Sequence, residues 1–116
     1  MNVDLPGNPI LRDRLDRKLR SLRDEATCHV FHEIDKLADS GALRKERVAI
    51  LNDRYDVYVL EPSLPAPKVI VVVDPGRAEA IIVDFSDRTP NPRAAASASA
   101  EALGEAVDTI HVFQRR

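Results

Sequence analysis

Apolar side chains near the start of the chain recur at helical spacing. The positions are Ile10, Leu11, Leu15, Leu19 and Leu22. This period predicts an amphipathic helix from Pro9 to about Glu25. Asn8 directly before Pro9 supports that start, because asparagine caps helix N-termini and proline suits the first helical position. Before the helix, a short edge strand is expected at residues 2–5.

A second apolar stripe predicts another helix soon after the first. Its members are Val30, Phe31, Ile34, Leu37 and Ala38. Thr27 is the expected N-cap of this helix, and Gly41 is the expected stop. Two helices joined by a short link form an antiparallel helical hairpin. Residues 42–53 are ambiguous: three apolar residues in this stretch need burial, and its pattern fits a short helical turn that leads into a strand.

The period of the apolar positions changes from 3.6 to 2 at Tyr55. This alternation predicts a strand over residues 55–61, and near-continuous apolar runs predict two more at Lys68–Asp74 and 78–85. Pro75 and Gly76 between these two strands favour a type II turn, with Gly76 at positive φ. Three strands with short links form an antiparallel meander. Continuous Val and Ile runs indicate strands covered on both faces, or on one face plus a partner.

The last part of the chain repeats the pattern of the first helix start. Asn91 followed by Pro92 predicts a helix to about Val107, rich in alanine and serine, with Gly104 weakening its last turn. Residues 110–113 alternate and are a candidate final strand. The expected fold is therefore α+β, a single domain over residues 1–116. It has an N-terminal helical hairpin packed on an antiparallel β-sheet, followed by a C-terminal helix.

Composition limits the function classes. A chain of 116 residues that is 44% apolar suits one domain with a single small core. A net charge of −2 argues against coating nucleic acid by bulk electrostatics. The single cysteine, Cys28, cannot form an internal disulfide, and no apolar run approaches the roughly 18 residues of a membrane span. These features predict a cytoplasmic protein with no membrane partner.

The first predicted helix is more basic than the rest of the chain. Its basic residues are Arg12, Arg14, Arg17, Lys18, Arg20 and Arg23, and its acidic residues are Asp13, Asp16 and Asp24. This surface fits either a solvated charged face or a patch for RNA or an acidic partner.

Two histidines on the second helix raise the question of a metal. His29 and His32 are three residues apart and Glu33 follows, whereas the familiar zinc helix has its histidines four apart. Surface histidines beside carboxylates are the simpler interpretation, and a metal-dependent enzyme is the weaker alternative. We expect no metal and no cofactor.

Basic side chains gather at one end of the predicted sheet. Lys68 opens one strand, Arg88 follows the next strand, and Arg93 comes shortly afterwards. Because these strand ends are neighbours in an antiparallel meander, the three side chains could hold a phosphate. Ordinary charged residues at strand ends are the alternative. Other charged residues divide between the sheet ends: Glu61 is expected with this cluster, and Arg54 and Arg77 at the opposite end.

The order of elements over residues 10–92 resembles that of the RelE/ParE/HigB-type toxin superfamily. The stretch HEIDKLADSGALRKERVAILNDRYDVYVLEP is similar to the family pattern of a helix ending in leucine and glycine, a linker, and a leucine before a strand. Lys68 in KVIVVVD matches a basic residue that often opens the family's next strand. FSDRT, residues 85–89, resembles the aromatic and basic pair that often ends the following strand.

The resemblance implies a compact α+β toxin that is bound by a cognate antitoxin. Many such toxins cut mRNA on the ribosome, and another branch acts on DNA gyrase. In the nuclease branch, basic side chains orient the scissile phosphate and stabilise its developing charge. Lys68 and Arg88 match those positions, Arg93 is grouped with them, and His111 is the candidate for the acid near the chain end.

The predicted function is therefore a metal-independent endoribonuclease acting on mRNA, with RNA or the ribosome as a further partner. The chain departs from the family in being net acidic and in carrying the alanine-rich helix and final strand. The alternative is a non-catalytic protein-binding module, such as a degenerate toxin relative or a homodimer.

Overall fold

Six strands form one mixed sheet in the computed structural model, which describes residues 2–38, 47–62 and 66–113. The strands are β1 (Asn2–Asp4), β2 (Arg47–Leu51), β3 (Tyr55–Leu60), β4 (Lys68–Asp74), β5 (Glu79–Ser86) and β6 (Ile110–Val112). The helices are α1 (Pro9–Ser21), α2 (Asp24–Asp35) and α3 (Pro92–Leu103). The chain is therefore an α+β protein, as predicted.

The predicted meander forms the centre of the sheet. The strand order is β1-β5-β4-β3-β2-β6, and β3, β4 and β5 are antiparallel neighbours. The prediction of a purely antiparallel sheet is wrong at one edge, because β1 pairs with β5 in parallel, with Val3 opposite Ala80. At the other side, β2 and β6 extend the sheet by antiparallel pairing. Residues 47–51 are thus a strand, while residues 42–46 and Gly41 lie outside the described residues.

The turn between β4 and β5 differs from the prediction. The Arg77 amide donates to the Asp74 carbonyl at 3.2 Å, and the positive φ falls on Ala78 (53°), not on Gly76. The prediction of a type II turn is therefore wrong. The connection has four residues, and a residue in the left-handed region just before the second strand lets the chain follow the right-handed strand twist.

The two N-terminal helices begin and end differently from their predicted bounds. The Asn8 side chain accepts from the amides of Ile10 (2.9 Å) and Leu11 (3.3 Å), so the predicted cap of α1 is present. However, α1 ends at Ser21, and α2 starts at Asp24 rather than after Thr27. Acidic residues in the first turn of α2 favour this earlier start, because they lie at the positive end of the helix dipole. A 3-10 turn, Lys36–Ala38, follows α2.

Helices contribute to hydrophobic clusters on both faces of the sheet. Alternate residues of β3 divide between two clusters: Tyr58 and Leu60 belong to one, Val57 and Val59 to the other. The first cluster contains these buried helix residues: Leu15 of α1, and Ala26, Val30 and Ile34 of α2. The second contains three alanines of α3: Ala95, Ala96 and Ala102. The apolar run of β4 is therefore covered on both faces.

The alanine-rich helix α3 packs closely on the sheet. Ser99 is fully buried within it and donates to the Ala95 carbonyl at 2.8 Å, which satisfies the buried hydroxyl. The helix ends at Leu103, earlier than predicted, because Gly104 adopts φ 67° and terminates it. None of the helices in the described residues is both long and apolar enough to span a membrane.

Candidate functional site at the sheet end

A loop over residues 87–91 crosses one end of the sheet on its way from β5 to α3. The Lys68 ammonium at the start of β4 donates to the Asp87 carbonyl of this loop at 3.4 Å. The Thr89 hydroxyl donates to the Glu61 carboxylate, just after β3, at 2.7 Å. The crossing loop is therefore tied to two neighbouring strands, and Glu61 lies at the predicted end of the sheet.

Arg88 is presented to solvent by this crossing loop. The Ser86 hydroxyl donates to the Arg88 carbonyl at 2.7 Å and accepts from the Arg88 amide at 3.2 Å, so the backbone at Arg88 is fixed to the end of β5. Lys68 lies opposite Ser86 in the β4–β5 register. The structure thus places Lys68 and Arg88 at the same sheet end. In the described part of the chain, the Arg88 side chain has no carboxylate within ion-pair distance.

A cleft of about 740 Å³ lies next to the crossing loop, at the N-terminus of α3. Its apolar lining residues are Val48, Val59, Pro90, Pro92, Val112 and Phe113. Its polar lining residues are Glu33, Glu61, Thr89, Asn91 and Arg93. Asn91 caps α3 by accepting from the Arg93 amide at 2.8 Å, which fixes the backbone from which the Arg93 side chain extends. Arg93 therefore lines the cleft beside the crossing loop, whereas Lys68 and Arg88 do not line it.

His111 lies beside the cleft but does not line it. This residue lies on the edge strand β6, opposite Ile50 of β2, and is exposed. It is absent from the cleft lining, although its neighbour Val112 lines the cleft. The only described link between His111 and the cleft is an edge-on contact with Phe113, with ring centroids 4.9 Å apart.

Sequence reasoning missed Arg47 and Phe113. The Arg47 guanidinium lies 4.9 Å from the centroid of the Phe113 ring and also pairs with Asp56, with Nη1 3.3 Å from the carboxylate. This contact depends on β6 lying beside β2, and the pattern of apolar residues does not specify which edge a final strand joins. The alternation of residues 110–113, which predicted a final strand, was the only sequence signal for this contact.

A second polar cluster occupies the opposite end of the sheet. Arg54 Nη2 lies 2.8 Å and Arg77 Nε 3.8 Å from the nearly buried Asp74 carboxylate, so both arginines are away from the crossing loop, as predicted. The hydrogen bond that the Arg54 guanidinium donates to the Asp74 carboxylate raises the pKa of Arg54. Tyr55 donates to the Glu105 carboxylate, and this hydrogen bond, together with burial, raises the pKa of the Tyr55 hydroxyl.

The predicted histidine pair shows no metal-binding arrangement. In residues 2–38, 47–62 and 66–113, no three His, Cys, Asp or Glu side chains come close enough together to hold a metal ion. His29 Nε2 instead lies 3.9 Å from the Glu25 carboxylate, one turn earlier on α2.

Comparison with protein-family models, curated proteins and solved structures found no match to this chain. Its function is therefore inferred from the sheet end, the cleft and the charges that they carry.

Proposed function

We propose that the protein is the toxin of a toxin–antitoxin pair and acts in the cytoplasm as a metal-independent endoribonuclease on mRNA. One observation carries the proposal: the crossing loop places Lys68 and Arg88 at one sheet end, beside the cleft that holds Arg93. Ammonium and guanidinium groups are the side chains that bind phosphate, and guanidinium can do so with two parallel hydrogen bonds.

The positions of these cations suit catalysis better than a flexible basic tail would. Lys68 lies in β4, and the backbone at Arg88 is fixed by two hydrogen bonds to Ser86. The fixed backbone keeps both cations near one end of the sheet, and positive charge placed there before the reaction would stabilise the transition state. Because the whole chain has a net charge of −2, attraction to RNA depends on this local group.

The proposed reaction is an internal transphosphorylation of RNA. The 2′-hydroxyl oxygen attacks the adjacent phosphorus, and the bond from phosphorus to the 5′ oxygen breaks. The 2′-hydroxyl proton passes to water, and the Lys68 ammonium protonates the leaving 5′ oxygen before regaining a proton from solvent. Arg88 binds the non-bridging oxygens, where negative charge increases. The products are a 2′,3′-cyclic phosphate and a 5′-hydroxyl.

Growth on induced expression tests the proposal. We expect the wild-type chain to arrest bacterial growth, and Lys68→Ala or Arg88→Ala to restore it, because each removes a cation from the phosphate site. Arg14→Ala is the matched control: Arg14 is exposed on α1 and is not part of the sheet end. Immunoblots establish equal protein levels. Unaffected growth at high wild-type expression, or equal relief by Arg14→Ala, would count decisively against the proposal.

A non-catalytic protein-binding module is the second candidate, and the edge strand β6 favours it. β6 ends the described sheet, so its outer side is open to strand addition, and Ile110 on it is 49% exposed. A second copy of the chain or the antitoxin could pair there. Sedimentation of the purified protein tests the homodimer: Ile110→Lys should convert a wild-type dimer to a monomer. A wild-type monomer at high concentration would exclude that homodimer.

A further inference from the structure

The cleft beside α3 combines an apolar wall with charged side chains. Its volume of about 740 Å³ falls within the range of about 300–1,000 Å³ typical of sites for small organic molecules. Val48 and Val59 line it from the neighbouring strands β2 and β3, and Pro90 and Pro92 line it from the start of α3 and the loop before it. This wall favours a ligand with an apolar body.

Three charged side chains line the cleft, and one of them is already paired within the protein. The Glu33 carboxylate accepts from Lys36 at 2.8 Å. Glu61 accepts from the uncharged Thr89 hydroxyl at 2.7 Å, and Arg93 lies in the first turn of α3, which contains no acidic residue. Among the described residues, neither Glu61 nor Arg93 has an opposite charge within ion-pair distance. The cleft therefore presents one uncompensated negative group and one uncompensated positive group.

Unpaired charges of opposite sign in one apolar cleft favour a ligand that carries both charges. An ionised carboxylate only accepts hydrogen bonds, so Glu61 matches an ammonium group, which has three donors. A guanidinium only donates, and it binds a carboxylate through two parallel hydrogen bonds, so Arg93 matches a carboxylate. A ligand with a single charge would leave one of these two groups without a partner.

The separation of the two charges favours a peptide over a single amino acid. Glu61 and Arg93 line the same cleft but are not in ion-pair contact with each other. In a free amino acid, the ammonium and the carboxylate are attached to the same carbon atom. A peptide carries them at its two ends, which move apart by up to roughly 3.3–3.6 Å for each added residue.

We propose that the cleft binds an apolar peptide of two or three residues with both termini free. The N-terminal ammonium binds Glu61, the terminal carboxylate binds Arg93, and the side chains pack on the apolar wall. This site is separate from the proposed ribonuclease site, because Lys68 and Arg88 do not line the cleft. The inference is therefore independent of the ribonuclease function.

Calorimetric titration of the full chain with leucyl-leucine tests the proposal. N-acetyl-leucyl-leucine and leucyl-leucine amide each lack one terminal charge. We expect each of them to bind about tenfold more weakly than leucyl-leucine, because each loses hydrogen bonds to a charged group. Glycyl-glycine has the same termini without apolar side chains, and it should also bind at least about tenfold more weakly.

Two substitutions identify the group that binds each terminus. Glu61→Gln should weaken leucyl-leucine about tenfold and leave the affinity for the acetylated peptide unchanged, because that peptide has no ammonium. Arg93→Gln should weaken leucyl-leucine by a similar factor and leave the affinity for the amidated peptide unchanged. Glu101→Gln and Arg14→Gln are the matched controls, because both residues are exposed and neither lines the cleft. Both controls should bind leucyl-leucine as the wild type does.

Thermal melting followed by circular dichroism verifies that each variant is folded. If the wild type binds neither leucyl-leucine nor trileucine at millimolar concentration, the peptide site is refuted. An equal effect of Glu61→Gln on the free and the acetylated peptide would also overturn the assignment of the ammonium to Glu61. Both results would leave the ribonuclease function standing, since RNA cleavage is measured without any peptide.

Discussion

At the scale of single residues, Asn52 joins the turn between β2 and β3 to the irregular segment before β6, which is far away in sequence. Its side-chain oxygen accepts from the amides of Asp108 (2.8 Å) and Thr109 (3.2 Å), and its amide nitrogen donates to the Ala106 carbonyl (2.9 Å). Asn52 and Asp53 both have positive φ, at 52° and 53°. This backbone is typical of the tight hairpin turn that favours asparagine and aspartate.

Two substitutions of Asn52 distinguish what its hydrogen bonds contribute to stability from what its backbone conformation contributes. Asn52→Ala should lower the free energy of unfolding by about 2–3 kcal/mol, through lost hydrogen bonds and the cost of alanine at positive φ. Asn52→Gly loses the same bonds without that cost, so it should be about 1 kcal/mol less harmful. Urea unfolding measures both variants. Equal losses of unfolding free energy in the two variants would show that the positive φ of residue 52 imposes no cost on alanine.

Tyr55 makes the stability of the folded protein depend on pH in the alkaline range. Its hydroxyl donates to Glu105, which raises its pKa in the folded protein above the unfolded value of 10.0. A raised pKa stabilises the fold below the unfolded value, and this stabilisation disappears as pH rises through the folded value. Tyr55→Phe should therefore melt at a lower temperature than the wild type near pH 8, and the gap should close above about pH 10. A gap that stays constant over this range would contradict the assignment.

Residue patterns predicted the local chemistry of helix starts better than that of turns. Asn8 and Asn91 cap their helices as expected, because the asparagine–proline pair acts within one turn of chain. Thr27 and Gly76 do not have their predicted roles. Their conformations depend on the exact helix bounds and the loop length, which neighbouring residues alone do not specify.

At the scale of elements, α3 shows how alanine permits close packing. Ala95 is fully buried against the sheet, whereas its neighbour Ala94 is exposed on the same helix. Ala95→Leu should lower the free energy of unfolding by about 1–3 kcal/mol, because the larger side chain overpacks the interface. Ala94→Leu, the control, should change it by less than about 0.5 kcal/mol. Urea unfolding followed by far-ultraviolet circular dichroism compares them, and equal effects would mean that α3 does not pack closely.

Element types were predictable where apolar periodicity is strong. Lys68–Asp74 is a strand over the predicted residues, because its continuous Val and Ile run has few alternatives. The stretch that contains the short strand β2 was ambiguous, and the face of the sheet that α3 covers was not predicted. Small alanine side chains suit either a closely packed interface or a loosely packed surface. Which of the two forms depends on the element against which the helix packs.

At the scale of the whole molecule, the order of strands creates the candidate site. The crossing loop contacts β4 and β3 in turn before α3 begins, which brings Lys68, Glu61 and Arg93 to one end of the sheet. The shared location of Lys68 and Arg88 followed from the meander, since adjacent antiparallel strands fix which ends meet. The parallel edge strand β1 and the placement of β6 beside β2 required long-range pairing that the sequence pattern does not encode.

The most direct test of the central claim is cleavage of single-stranded RNA by the purified protein in the presence of excess chelator. We predict cuts that leave 2′,3′-cyclic phosphate ends. Arg88→Ala should slow the reaction by about 100-fold, the usual effect of removing one group that stabilises transition-state charge. Arg14→Ala should cut at the wild-type rate. No cleavage by the wild-type protein, or equal rates for the two arginine variants, would contradict the claim that this sheet end is a ribonuclease site.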